Sequence, residues 1–137
     1  MVKSEERLGI LLWFRLSRFY NLNIKKTNQN LKEAGISTAM FDCIAQIGLG
    51  NSLTQQALGD KLVVTKGNIT QLLVKLENLG LVRREKIGRE KFISLTESGE
   101  DYYKKYVPEQ ESFQQEQFSK LTRTEQKELL RLLKKLD

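Results

Sequence analysis

TQQALGDKLVVTKGNITQLLVKLENLGLVRREKIGREKFISLT, residues 54–96, decides how this chain folds. Two short helical patterns meet at a tight turn and run into a basic strand–turn–strand, the outline of a winged helix-turn-helix. Thr54 is placed to cap a short helix that turns Ala57, Leu58 and Leu62 inward. Val63 and Val64 lead to a second N-cap residue, Thr65, after which Ile69, Leu72, Leu73, Leu76 and Leu79 form a single apolar stripe. Gly80 predicts the left-handed stop of that helix. Beyond it the period changes: Leu81 to Glu85 and Lys91 to Leu95 are strand-length runs around a turn at Ile87-Gly88.

Helical patterns flank this unit on both sides. Ser4 predicts a cap for a first helix whose opening turn holds Glu5 and Glu6, the charge the helix dipole favours there. Leu8, Leu12, Leu16 and Phe19 recur at helical spacing beside a second row, Leu11, Phe14 and Leu22. That apolar arc is wider than one domain face requires, which predicts a partner helix. Gly35 is expected to end the helix, Ser37 to begin the next, and Gly48 to Ser52 to form a turn. Thr96-Glu97-Ser98-Gly99 opens a further helix in which Pro108 predicts a kink or a fresh start. Thr122 and Glu125 form a capping box before a last helix carrying Leu129, Leu132, Leu133 and Leu136. The fold class is therefore mainly α with a small β-hairpin wing, in one domain spanning residues 1–137.

Bulk composition narrows function by exclusion. One cysteine, Cys43, and no histidine cannot supply the four ligands of a structural zinc site, a disulfide within the chain, or a histidine triad. Paired catalytic carboxylates and phosphate loops do not stand out either, so neither an enzyme nor a bound cofactor is expected. No apolar run approaches the ~18 residues of a membrane span, and the N-terminus lacks a secretory pattern, so a cytoplasmic protein is expected. The formal net charge of +6 points to a polyanionic partner.

Double-stranded DNA is the polyanion the helix pattern suits. A recognition helix needs a rigid apolar back and a donor-rich front near its N-terminus. Thr65, Lys66, Gly67, Asn68, Thr70 and Gln71 provide that front, with Lys75 further along for a phosphate. Asn and Gln can bond an adenine edge in two places, and Lys can reach guanine acceptors. A solvated helix face would accept any one of these residues singly. In the hairpin, Arg83, Arg84, Lys86, Arg89 and Lys91 crowd a short span, and Arg89 beside the turn glycine suits a narrow minor groove. Lys86 and Lys91 also fit simple protection of a strand edge.

Ile36-Ser37, Leu53-Thr54, Leu76-Glu77-Asn78-Leu79-Gly80-Leu81-Val82 and Leu95-Thr96-Glu97-Ser98-Gly99, in that order, resemble the multiple antibiotic resistance regulator (MarR) family. The resemblance spans nearly the whole chain. It implies a homodimeric transcription regulator, with residues 1–35 and 97–137 as dimerisation helices around a winged helix-turn-helix at 37–96. Such proteins often repress, and many release DNA when a small aromatic or lipophilic molecule, or an oxidant, binds or reacts. Of the family's wing pattern the arginine carries over to Arg89, and with the residue reading above the expected DNA-contacting positions are Thr54, Gln55, Thr65, Lys66, Gly67, Asn68, Thr70, Gln71, Lys75, Arg84 and Arg89. Trp13, Phe14, Tyr20 and Phe41 are candidate effector residues, although aromatics at helical spacing more often form core or interface.

Two departures from the family pattern stand out. The family's Asp-x-Arg in the wing reads Ile87-Gly88-Arg89 here, which leaves the arginine without its orienting aspartate. Cys43 falls in the second helix, not the first where the family's peroxide sensors carry theirs; its apolar neighbours fit a small buried hydrophobe, and a redox-sensing role would need folding to bring a lysine or arginine near. The alternative to DNA is an interaction module whose basic face meets an acidic protein.

Overall fold

The computed structural model describes residues 7–50, 52–62, 64 and 66–137, with the backbone alone at Lys66. The expectations for Ser4, Glu5, Glu6, Val63 and Thr65 fall outside these residues. In chain order the elements are α1 (Arg7–Asn30), α2 (Thr38–Gly50), β1 (Leu53–Thr54), α3 (Gln55–Leu62) and α4 (Lys66–Asn78), then β2 (Val82–Ile87), β3 (Glu90–Leu95), α5 (Glu97–Glu116) and α6 (Arg123–Lys135). The three strands form an antiparallel sheet in the order β1-β3-β2. β1 went unread in the sequence because two residues are too few for a period; it is held by pairing Leu53 with Ile93 and Thr54 with Phe92.

The core lies where α2, α4 and the sheet converge. Ile44, Ile47, Leu58, Leu73, Leu76 and Ile93 are fully buried, and Leu31 and Val107 join them from the flanking segments. Ser37 accepts a hydrogen bond from the Met40 amide at 3.2 Å and so caps α2. Thr96 accepts from the Gly99 amide at 3.0 Å, and its hydroxyl donates to the Gly80 carbonyl at 2.6 Å. One side chain thereby starts α5 and fastens it to the end of α4. At that end Gly80, at φ 74°, and Leu81 donate to the carbonyls of Glu77 and Leu76, the paired bonds of a Schellman stop. The capping box at Thr122 and Glu125 is formed on α6.

Three local expectations change. α1 stops at Asn30, five residues before Gly35, and the chain tightens into i→i−3 bonds from Ala34 to Leu31 and from Gly35 to Lys32. Asn28 meanwhile accepts from both the amide and the hydroxyl of Thr38, at 2.9 and 2.6 Å, tying the end of α1 to the start of α2. The turn expected over Gly48 to Ser52 begins later, since α2 runs on to Gly50 and the Ser52 amide donates back to the Gly50 carbonyl at 2.7 Å; Asn51 lies outside the described residues. Gly48 serves packing instead: a Cβ there would overlap the Tyr103 ring from α5. α5 continues as one helix through Pro108, so no new helix begins at that residue.

Candidate nucleic-acid interface

The stripe at the back of α4 is set into the core, which fixes the opposite face outward. Ile69, Leu73 and Leu76 are buried and Leu72 is half-buried, whereas Leu79 lies past the helix end and is exposed. Gly67, Asn68, Gln71 and Lys75 are exposed on the front. The backbone of Lys66 opens the helix, so its position belongs to the same first turn. An α-helix with this division is shaped to enter a major groove.

Thr54, Gln55 and Thr70 are held more tightly than a free contact surface would be. The Thr54 hydroxyl accepts from the Ala57 amide at 3.1 Å, capping α3 as the sequence predicts. The Gln55 side-chain Nε2 donates to the Thr70 hydroxyl at 2.9 Å, a direct tie between α3 and α4. All three side chains are half-buried. Together with Arg89 they border a crevice of about 560 Å³ between these two helices and the wing.

The wing separates two arginines that the sequence grouped together. Gly88, at φ 64°, makes the turn between β2 and β3, and Arg89 stands exposed beside it. Arg84 is half-buried and points back to α4, where Glu77 receives its Nη2 at 2.5 Å and its Nε at 2.7 Å. Its charge is balanced inside the protein, so its evident part is to hold β2 against α4. A pairing seven residues apart across a helix stop is not visible to sequence periodicity. A carboxylate just before the Gly80 stop and an arginine just after it are the signals that would have suggested it.

A second concavity of about 800 Å³ lies between α1 and the C-terminal helices, lined by Leu12, Trp13, Leu16, Tyr20, Phe118 and Leu129 among others. Of the four aromatic effector candidates, only Trp13 and Tyr20 reach it. Phe14 projects away and is 66% exposed, and Phe41, at 3%, is part of the core. Phe41 therefore cannot line that groove without unpacking α2. Tyr102 donates its hydroxyl to the Ala34 carbonyl and meets Tyr106 ring against tilted ring, 4.5 Å between centroids and 47° between planes, so both serve packing.

Cys43 is fully buried. Burial, assisted by the nearby Asp42 charge, pushes its thiol up to about 12, so at neutral pH it carries a proton and is a poor nucleophile. Among the described residues no cluster of metal-ligating side chains is found, and no helix is long and apolar enough to cross a membrane.

Comparison with known proteins matches residues 34–91 to the family described as MarR family. A Bacillus cereus protein described as an uncharacterized HTH-type transcriptional regulator is 39% identical over 133 residues, covering 96% of this chain and 90% of its own length. The regulator YkoM of Bacillus subtilis is 31% identical, over 76% of this chain and 70% of that one. These relatives are regulators of transcription, not enzymes. Among solved structures, a MarR variant from Escherichia coli in complex with operator DNA superposes with a TM-score of 0.80 at 25% identity, covering 95% of this chain and 96% of that chain. AbsC from Streptomyces coelicolor shares the fold with a TM-score of 0.86 at 20% identity, covering 99% and 94%.

Proposed function

Because the chain belongs to the MarR family, we propose that it binds double-stranded DNA as a homodimer at an inverted-repeat operator and represses transcription there. The observation that carries the reading is the divided helix α4, with its buried stripe of Ile69, Leu73 and Leu76 behind an outward row of Gly67, Asn68, Gln71 and Lys75. In this reading Asn68 and Gln71 read base edges, Lys66 and Lys75 take bases or phosphates, and Arg89 enters the flanking minor groove. Gln55 and Thr70 steady the helix as well as border the duplex. Arg84 acts from behind, holding the wing through Glu77.

The homodimer reading draws on what α1 and α6 leave uncovered. Leu8, Leu12, Trp13 and Phe14 on α1 are 60–71% exposed, and α6 buries none of its side chains despite a row of leucines. Apolar surface of that extent is costly in water and is satisfied by a second copy of the same helices. A C2 pair would set the two copies of α4 roughly 34–36 Å apart, one duplex turn. The groove beside Trp13 and Tyr20 suits a small aromatic or lipophilic effector, whose binding would alter how the dimer helices hold the two lobes. Operator binding also implies a cytoplasmic location.

Selection of binding sites from random duplexes with purified protein tests this directly. The expected outcome is a symmetric site recovered by a protein of two-copy mass. A monomer at micromolar concentration that enriches no sequence would overturn the proposal.

A further inference from the structure

The strand register of the wing brings two lysines face to face. Lys86 on β2 pairs with Lys91 on β3, just as Arg84 pairs with Ile93 and Val82 with Leu95. Directly paired residues project from the same side of a sheet, so these six side chains share one face. That face is the inner one, because Val82 and Ile93 are buried in the core and Arg84 reaches Glu77 on α4. Strand alternation sends Glu85 and Glu90 to the other face. Glu90 and Asp60 do border the crevice that Lys91 helps to line. Yet among the described residues neither lysine's ammonium has a carboxylate oxygen within 4 Å.

Like charges directly opposite in an antiparallel pair weaken the hairpin that carries them. Protection of a strand edge needs one charge on the outer strand, and a glutamate opposite Lys86 would protect equally well while attracting it. Cβ atoms of such a pair stand about 4.5–5.5 Å apart, close enough for two ammonium groups to donate to one anion. Resting on the DNA-binding reading above, we propose that Lys86 and Lys91 form a clamp for a single backbone phosphate of the duplex. The clamp sits between the recognition helix and the tip that carries Arg89, and the phosphate it takes fixes how far the wing sinks toward the groove.

The test compares wild type with K86Q/K91Q and K91E on the duplex selected for the wild type. Each phosphate neutralised adds about 0.9 to the magnitude of the log–log salt slope, so the double variant should lose about 1.8 for a dimer with both wings engaged. K91E replaces repulsion by a cross-strand ion pair; it should raise the melting temperature of the free protein by about 1–4 °C. The same variant should bind DNA at least about tenfold more weakly at low salt. An unchanged slope in the double variant would make the lysines merely protective and end the clamp. A loss of twice the expected size would mean two phosphates, which also overturns it. A wild type that binds no duplex sinks the DNA reading itself, an outcome distinct from either.

Discussion

Replacing Glu77 by glutamine tests whether Arg84 braces the wing or touches DNA. Arg84 directs both Nη2 and Nε to one Glu77 oxygen, at 2.5 and 2.7 Å, and the two side chains are 23% and 32% exposed. A hydrogen bond to a charged group contributes about 1.5–3 kcal/mol when shielded, and an exposed ion pair about 0.2–1 kcal/mol. Two bonds converging on one oxygen, with under a third of either side chain exposed, fall between these limits. A coupling of about 1–2 kcal/mol is therefore expected. Urea unfolding of the wild type, E77Q, R84Q and the double variant at one protein concentration measures it as a double-mutant cycle. Each single variant should lose about 1–2 kcal/mol and the double variant scarcely more than either. A second readout separates brace from contact. A side chain whose charge is already balanced within the protein releases no counterion, so R84Q should keep the wild-type salt slope for DNA binding. Arg89→Ala should instead lower it by about 0.9 for each wing engaged. Additive stability losses, with a coupling below about 0.3 kcal/mol, would refute the brace. So would a slope in R84Q reduced as far as in the Arg89 variant.

Asp42 on α2 gives a pH-dependent outcome, since burial raises its carboxyl from 3.8 to about 6. As pH rises the unfolded chain gives up this proton first, so stability falls between about pH 4 and 6 and the penalty is complete above that window. A shift of this size corresponds to about 3 kcal/mol for a sealed group, reduced to about 1–2 kcal/mol here by partial exposure. Asp42→Asn should raise the melting temperature at pH 7 and match wild type near pH 4; an equal difference at both would refute the assignment. Gly48→Ala should cost about 1–3 kcal/mol by driving a methyl into the Tyr103 ring, and an unchanged midpoint in urea would show that α5 moves aside freely. Leu12→Glu puts a charge on a residue 63% exposed in the single chain. It should convert a two-copy species into a monomer in sedimentation, whereas an unchanged mass would place the dimer contact elsewhere.

What could be read from the sequence was whatever is settled within one turn of chain. Thr96, Thr122 with Glu125, Ser37 and Gly80 announce helix ends because the bonds they make reach only a few residues away. The apolar stripe of α4 was equally plain, since burial repeats at the helical period. Gly48 misled because its reason is the Tyr103 ring, brought alongside only when α5 packs on α2. Phe14 and Phe41 look alike in sequence, yet tertiary packing leaves one largely in water and seals the other in the core. Composition cannot make that distinction.

The wing shows how a pattern set by burial can decide the sign of a surface. Val82 and Ile93 must face the core, and strand alternation then assigns every other residue of β2 and β3 to a side. With that register, Arg84, Lys86 and Lys91 fall on the face toward α4 while Glu85 and Glu90 fall on the reverse. A slip of one residue in either strand would move its whole set of side chains across the sheet. In β2 such a slip would take Arg84 away from Glu77 and turn Glu85 inward, and in β3 it would turn Glu90 inward and expel Ile93 from the core. The cationic inner face therefore follows from two buried aliphatic side chains as much as from the basic residues, and a polar substitution at Ile93 should disturb the wing's electrostatics along with its stability.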